Sequence, residues 1–306
     1  MDYKNSYFRQ VELLVRILPL IGEYSCFALK GGTAINLFYR DIPRLSIDID
    51  LVYLPIAERE HSLDDITKNL KSLGTMIAER LPGAKIQYSL LRPTGHVHRL
   101  IVESGRAVIK IELSPVLRGT VYEATIMRIT KKAEEIFGFA EIPVISFEDL
   151  FAGKMLAALD RQHPRDLFDI KGLFEFEGIT ERLKEAFMVY LISHNRRMVE
   201  ILDPNILDIT QLFETDFTGM TTNHVELSDL HETRAELIRM VQSMLNKKDL
   251  EFLVRFKEGH PDWSYFSLPH IKDLPAVKWK LQNLALVDPA KRKEMVETLT
   301  ALFLSF

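Results

Sequence analysis

The chain has 306 residues, of which 47% are hydrophobic and 27% charged, and its net charge is −4. This is the profile of an ordinary globular protein, long enough for a large core and two domains. One cysteine, Cys26, excludes an intrachain disulfide and fits a reducing cytoplasm; no apolar run approaches the roughly 18 residues of a membrane helix, and the early charges Asp2, Lys4, Arg9, Glu12 and Arg16 leave no room for a signal peptide.

The spacing of Phe8, Val11, Leu14, Val15 and Leu18 predicts an amphipathic helix, ended or kinked by Pro19 with Gly22 just beyond. A short strand over 26–29 leads into Gly31-Gly32 and a helix over about 33–39. Asp41-Ile42-Pro43-Arg44 reads as a loop, 46–53 as a strand, and 57–81 as a long helix stopped by Pro82-Gly83. Three strand-like runs follow at 85–91, 98–102 and 107–113, parted by Pro93-Thr94-Gly95 and Ser104-Gly105, a meander pattern. Between 80 and 132 stand ten Lys/Arg against three Asp/Glu, together with His96 and His98, a strip suited either to a polyanion or to a solvated strand face.

Pro143 marks a boundary. Beyond it, helical patterns run over 147–159, 164–177, 180–192, 205–213, 224–246, 248–257, 275–286 and 289–304. Ser146, Ser228 before Asp229, and Asp288-Pro289 look like helix starts, and 258–274 is the longest irregular stretch. The class is α+β, with domains at 1–145 and 146–306.

Two groups of residues carry chemistry. In Ile47-Asp48-Ile49-Asp50 the carboxylates lie two apart on an apolar strand, on one face and roughly 6–7 Å from each other. Such a pair repels unless a positive charge lies between, and Mg²⁺ prefers one or two carboxylates plus phosphate oxygens. Gly31-Gly32 at the mouth of a helix lets backbone N–H groups approach an anion. Glu112, amid the apolar strand 107–113, is either a solvent-facing side chain or a third carboxylate facing the pair. The second group joins Lys154 and Arg161, on one face of a helix, to Arg165, Asp166 and Asp169 after a Pro164 turn. It reads as a salt-bridged helical hairpin, for instance Arg161 with Asp166, or as part of a site.

Lys30-Gly31-Gly32-Thr33-Ala34, Arg44-x-Ser46-x-Asp48-x-Asp50-Leu51, Lys154-x-x-Ala157-x-x-x-Arg161 and Arg165-Asp166-x-x-Asp169 together resemble the abortive-infection nucleotidyltransferase toxins, the AbiEii/AbiGii type of toxin–antitoxin systems. The resemblance spans about 30–170. It implies a DNA polymerase β-like nucleotidyltransferase core with a mixed sheet, followed by a mainly helical domain that closes the active-site cleft. It implies Mg²⁺ on Asp48 and Asp50, with Glu112 the candidate third ligand. The nucleotide would be held by Gly31, Gly32, Thr33, Arg44, Ser46 and Arg161. Lys154 would contact phosphate and Asp166 would be the distal acid, with Asp169 the alternative. The implied substrates are an NTP and an RNA acceptor such as a tRNA 3′ end, with translation blocked as the result, and the implied partner is a cognate antitoxin. Two rivals stay open at this point: the same core acting on a protein or small molecule, as nucleotidyl- or phosphotransferase, and an inactive binding module.

Overall fold

The computed structural model describes residues 6–306; Asp2 and Lys4 of the charged N-terminal stretch lie outside the described residues. The chain forms two compact units. One holds the residues up to Ser146 together with Gly219–His224; the other holds Phe147–Thr218 and Val225–Phe306. The single cut expected near 145 therefore lacks the return of six residues to the first unit.

In the first unit, seven strands among the described residues make one mixed sheet. They are β1 (Phe27–Lys30), β2 (Asp48–Tyr53), β3 (Lys85–Leu90), β4 (Val97–Ser104), β5 (Ala107–Leu113), β6 (Thr125–Arg128) and β7 (Glu141–Val144), in the order β3-β4-β5-β2-β1-β7-β6. β2 runs parallel to β5 and β1 parallel to β7, and the other neighbours are antiparallel. The predicted meander is β3-β4-β5. β6 and β7 were not predicted, because Pro143 reads as a breaker yet sits within β7 opposite Ile126 of β6, an edge strand.

Helix α1 (Ser6–Gly22) packs on β5 and β7, and α3 (Arg59–Arg80) along β4 and β3. Of the two outcomes expected at Pro19, an end or a kink, the first does not occur: Pro19 lies inside α1, which runs on to Gly22. Its missing N–H forfeits the bond to Val15, but Ile17, Leu18 and Ile21 are fully buried and hold the last turn in the core. Ile109, Ile111 and Leu113 of β5 are buried, whereas Val108 and Lys110 are exposed and Glu112 half-buried. The sheet thus has one covered face and one open face, and β2 alternates in step: Ile49 and Leu51 are buried, Asp48 and Asp50 half-buried.

The second unit is helical: α5 (Phe147–Arg161), α6 (Pro164–Phe176), α7 (Glu181–Ser193), α8 (Met198–Leu202), α9 (Thr210–Asp216), α10 (Leu227–Met244), α11 (Lys247–Glu258), α12 (Pro275–Ala285) and α13 (Pro289–Leu304), with α4 (Lys131–Phe137) left in the first unit. α5 is central, touching α6, α7, α8 and α10 through a core that includes Phe151, Met155 and Leu159. The start expected at Ser228 lies at Glu226, whose side chain closes a capping box with Asp229. The irregular stretch 258–274 is ordered by rings: Tyr265 stacks on Phe252 at 4.5 Å and Phe266 meets it edge-on at 4.9 Å. No helix among the described residues is long and apolar enough to cross a membrane.

Candidate functional site

The glycine pair does not precede the helix but opens it. α2 (Gly31–Ala34) begins directly after β1, with Lys30 as its extended N-cap, and continues as a π-helical turn over Ile35–Tyr39. Each glycine is required by what lies against it. Gly31 has φ +75°, and a Cβ there would strike the Asp50 carboxylate. A Cβ on Gly32 would fall 2.5 Å from Arg44 Nη2 and 3.0 Å from Ser46 Oγ. The Thr33 hydroxyl donates to the Asp48 carbonyl at 2.5 Å and lies 3.0 Å from Ser46 Oγ. Gly31, Gly32, Thr33, Arg44, Ser46 and Asp50 are therefore one locality in the first unit, and the Asp48–Asp50 strand is fastened to the helix start. Gly31→Ala is expected to cost about 1–2 kcal/mol from the left-handed backbone alone, read as a lower denaturant midpoint.

The sheet register adds charges around this locality. Lys30 pairs with Asp50 across β1 and β2, Asp50 with Glu112 across β2 and β5, and Glu112 with Arg99 across β5 and β4. Asp48 pairs with Lys110 in the next same-face row. Cross-strand partners are near neighbours, so Asp48, Asp50 and Glu112 share the open face of the sheet. Glu112 stands opposite Asp50 in the register, with its side chain 42% exposed. Its two oxygens, however, accept from Arg99 Nε at 3.1 Å and Nη2 at 2.8 Å. Those bonds, with the charges of Glu112 and Asp48 and against partial burial, raise the Arg99 pKa above its ordinary value. Among the described residues, no group of three or more His, Cys, Asp or Glu is arranged to hold a metal ion by itself. Glu112 as third ligand is thus not ready-made: both its oxygens are committed to a guanidinium. Sequence reading gave no role to Arg99, Lys30 or Lys110.

Arg44 is buried, and its loop is pinned by the returning segment. Leu45 N–H donates to Met220 O at 2.8 Å, Thr222 N–H to Pro43 O at 3.0 Å, and the Thr222 hydroxyl to Pro43 O at 2.9 Å, while Arg44 bridges Thr221.

The second group forms its own cluster in the second unit. Lys154 Nζ lies 2.9 Å from Asp166 Oδ1 and 3.0 Å from Asp169 Oδ2, and all three residues are buried. Arg161 closes on Asp166 with Nε at 2.6 Å from Oδ2 and Nη2 at 3.0 Å from Oδ1. Burial alone would raise the Asp166 pKa, but the Lys154 charge and the bidentate Arg161 outweigh it and hold the carboxyl well below its usual range. The geometry displays a salt-bridged hairpin with the Arg161–Asp166 pair, but one that is buried rather than solvent-exposed. Lys154 is enclosed between carboxylates rather than presented to solvent, because a buried ammonium needs countercharge; Arg161, with its side chain 63% exposed, is the cluster's surface member. Gln162 holds the intervening turn at φ +50°: it accepts from Leu207 N–H and Arg234 Nη1, each at 3.0 Å, and donates to Asn205 O at 2.7 Å.

Comparisons with known proteins bear on this arrangement. A family model described as the nucleotidyl transferase AbiEii toxin of type IV toxin–antitoxin systems matches residues 12–283. No curated protein sequence matches. Among solved structures, the chain is similar to MenT4, a nucleotidyltransferase toxin from Mycobacterium tuberculosis H37Rv, at 15% identity and a TM-score of 0.62, over 99% of this chain and 95% of that one. At that identity the likeness concerns the fold.

Proposed function

The chain belongs to the AbiEii nucleotidyltransferase toxin family of type IV toxin–antitoxin systems, and on that premise we propose that it transfers a nucleotidyl group from an NTP to an RNA 3′ end, a tRNA end above all, and so stops translation in the cytoplasm. The family implies a nucleotide substrate and an antitoxin partner. The observation that carries the proposal is the seating of the Asp50 carboxylate against Gly31, at the first turn of a helix. A carboxylate strand and an anion-binding helix start are thereby in contact.

The donor set fits a divalent ion of the Mg²⁺ type. Asp48 and Asp50 offer carboxylates on one face, beside a backbone anion cradle that would bring phosphate oxygens as further ligands. Such an ion, when bound, supplies positive charge to the triphosphate and to the leaving pyrophosphate. The chain's own groups do the rest. N–H groups at Gly32 and Thr33 hold phosphate, and the Arg44 guanidinium beside Gly32 adds fixed positive charge. Ser46 and Thr33 hydroxyls tie the cradle to the strand. Glu112, held by Arg99, would add a third carboxylate to such a site only if that clasp opened. In the second unit Lys154 and Arg161 hold the Asp166 carboxylate ionised.

The test is incubation of the purified chain with total tRNA and each of the four NTPs, labelled at the α-phosphate. Label in RNA with pyrophosphate release is the expected result. Label in lysate protein instead, or nucleoside diphosphate as product, would move the reaction to a protein acceptor or to phosphotransfer. No Mg²⁺-dependent response to any NTP in a thermal-shift assay would leave a binding module.

A further inference from the structure

Register places a cation beside each carboxylate on the open face of the sheet, but only one of these pairs closes. Lys30 lies opposite Asp50 and Lys110 opposite Asp48, yet neither lysine side chain forms an ion pair or hydrogen bond among the described residues. Arg99, opposite Glu112, does: its Nε and Nη2 each take one carboxylate oxygen, at 3.1 and 2.8 Å. Such a two-pronged contact fixes the plane of the carboxylate as well as countering its charge. Both side chains are partly exposed, so the clasp contributes little to folding. Its position says more than its strength. Glu112 stands between Asp50 and Arg99 in one row across β2, β5 and β4.

We propose that Arg99 is a positioning residue that withholds Glu112 from metal, so that the site takes one divalent ion, on Asp48 and Asp50, rather than two. Arg99 has this role only where those aspartates are the metal pair, as the proposed function holds them. A site for two ions needs a carboxylate oxygen to spare for the second, and both Glu112 oxygens already accept from Arg99. A guanidinium keeps its proton at any working pH, so the clasp is a fixed charge and not a titrating one. That charge also repels a second divalent ion at Glu112. Asp48 and Asp50 are left with two negative charges between them, the countercharge of a single ion.

The experiment counts Mn²⁺ ions on the full chain by loss of the free-ion paramagnetic resonance signal. The native chain is expected to bind one ion, and Asp50→Asn none at the same concentrations. Arg99→Met removes the charge and the donors. It is expected to bind a second ion and to hold the first about tenfold more tightly, because the neighbouring positive charge is gone. Adding Glu112→Gln to Arg99→Met returns the count to one, and Glu112→Gln alone leaves it at one. Without metal, the melting temperature of Arg99→Met stays within about 3 °C of the native value. A cross-strand pair that served only the sheet would shift the melt and leave the count alone. Two ions on the native chain, an unchanged count in Arg99→Met, a second ion that survives the added Glu112→Gln, or loss of the ion in Glu112→Gln alone would each overturn the proposal. No ion on the native chain, or one that Asp50→Asn fails to remove, would overturn the metal reading of the aspartates and the role of Arg99 with it. None of these readouts depends on NTP turnover.

Discussion

Asp48→Asn and Asp50→Asn each lower incorporation of labelled NTP into RNA by about 10³-fold or more, which corresponds to a loss of about 4 kcal/mol of transition-state stabilisation, while the melting temperature stays level or rises. Both halves of that expectation follow from the register. The carboxylates stand side by side on the open face of β2, with Glu112 beside Asp50, so removing one charge relieves repulsion. The bond that fastens the strand to the helix start runs from Thr33 to the Asp48 backbone carbonyl, which the amide variant retains. Single-turnover incorporation alongside a thermal melt checks both parts. Native turnover in either folded variant would remove that aspartate from the mechanism.

Lys154→Met behaves in the opposite way: its main effect is on stability, a loss of about 3–5 kcal/mol in denaturant unfolding. The substitution takes away the cation shared by Asp166 and Asp169, two carboxylates whose side chains are each 1% exposed. Changing both acids to Asn in the same chain should recover much of the loss, since the buried charge goes with its partner. The pH dependence has a definite sign. Asp166 is held ionised well below the ordinary carboxylate range in the folded chain, against about 4 when unfolded. Its contribution is therefore present in full above about pH 4 and drains away as the pH falls below that. Asp166→Asn should flatten the acid limb of the stability profile. An unchanged melting temperature in Lys154→Met, with turnover lost, would instead assign the ammonium to substrate.

Much of the first unit was legible because its signals are local. Alternation in β2 and β5, the glycine pair and the Pro82-Gly83 stop each lie within a few residues, and the family motifs lie on them. What escaped depended on pairing between distant segments. The Arg99–Glu112 clasp is the instructive instance. Once Ser104 and Ala107 pair around the Ser104-Gly105 turn, each outward step along the hairpin brings further partners together until Arg99 faces Glu112. That register was available in principle, but the strand was expected only from 98 to 102, and the expectation paired nothing. Pro143 concealed β7 because a breaker was taken as a border. The Lys154 cluster was named correctly as residues, yet its burial, which decides between phosphate contact and internal ion pair, depends on the packing of α5 against its neighbours.

The strap of Gly219–His224 across the Arg44 loop has a consequence for when the site comes into being. The glycine cradle, the aspartate strand and the whole sheet are encoded by Val144, but the backbone that pins Pro43 and Leu45 is not synthesised until some 175 residues after them. A ribosome that has released only the first unit's main stretch displays an Arg44 loop still lacking its tether. Completion of the tether on the Arg44 loop is in this way deferred until much of the helical unit has been made, so under the proposed function a prematurely terminated chain is expected to transfer less than the finished one.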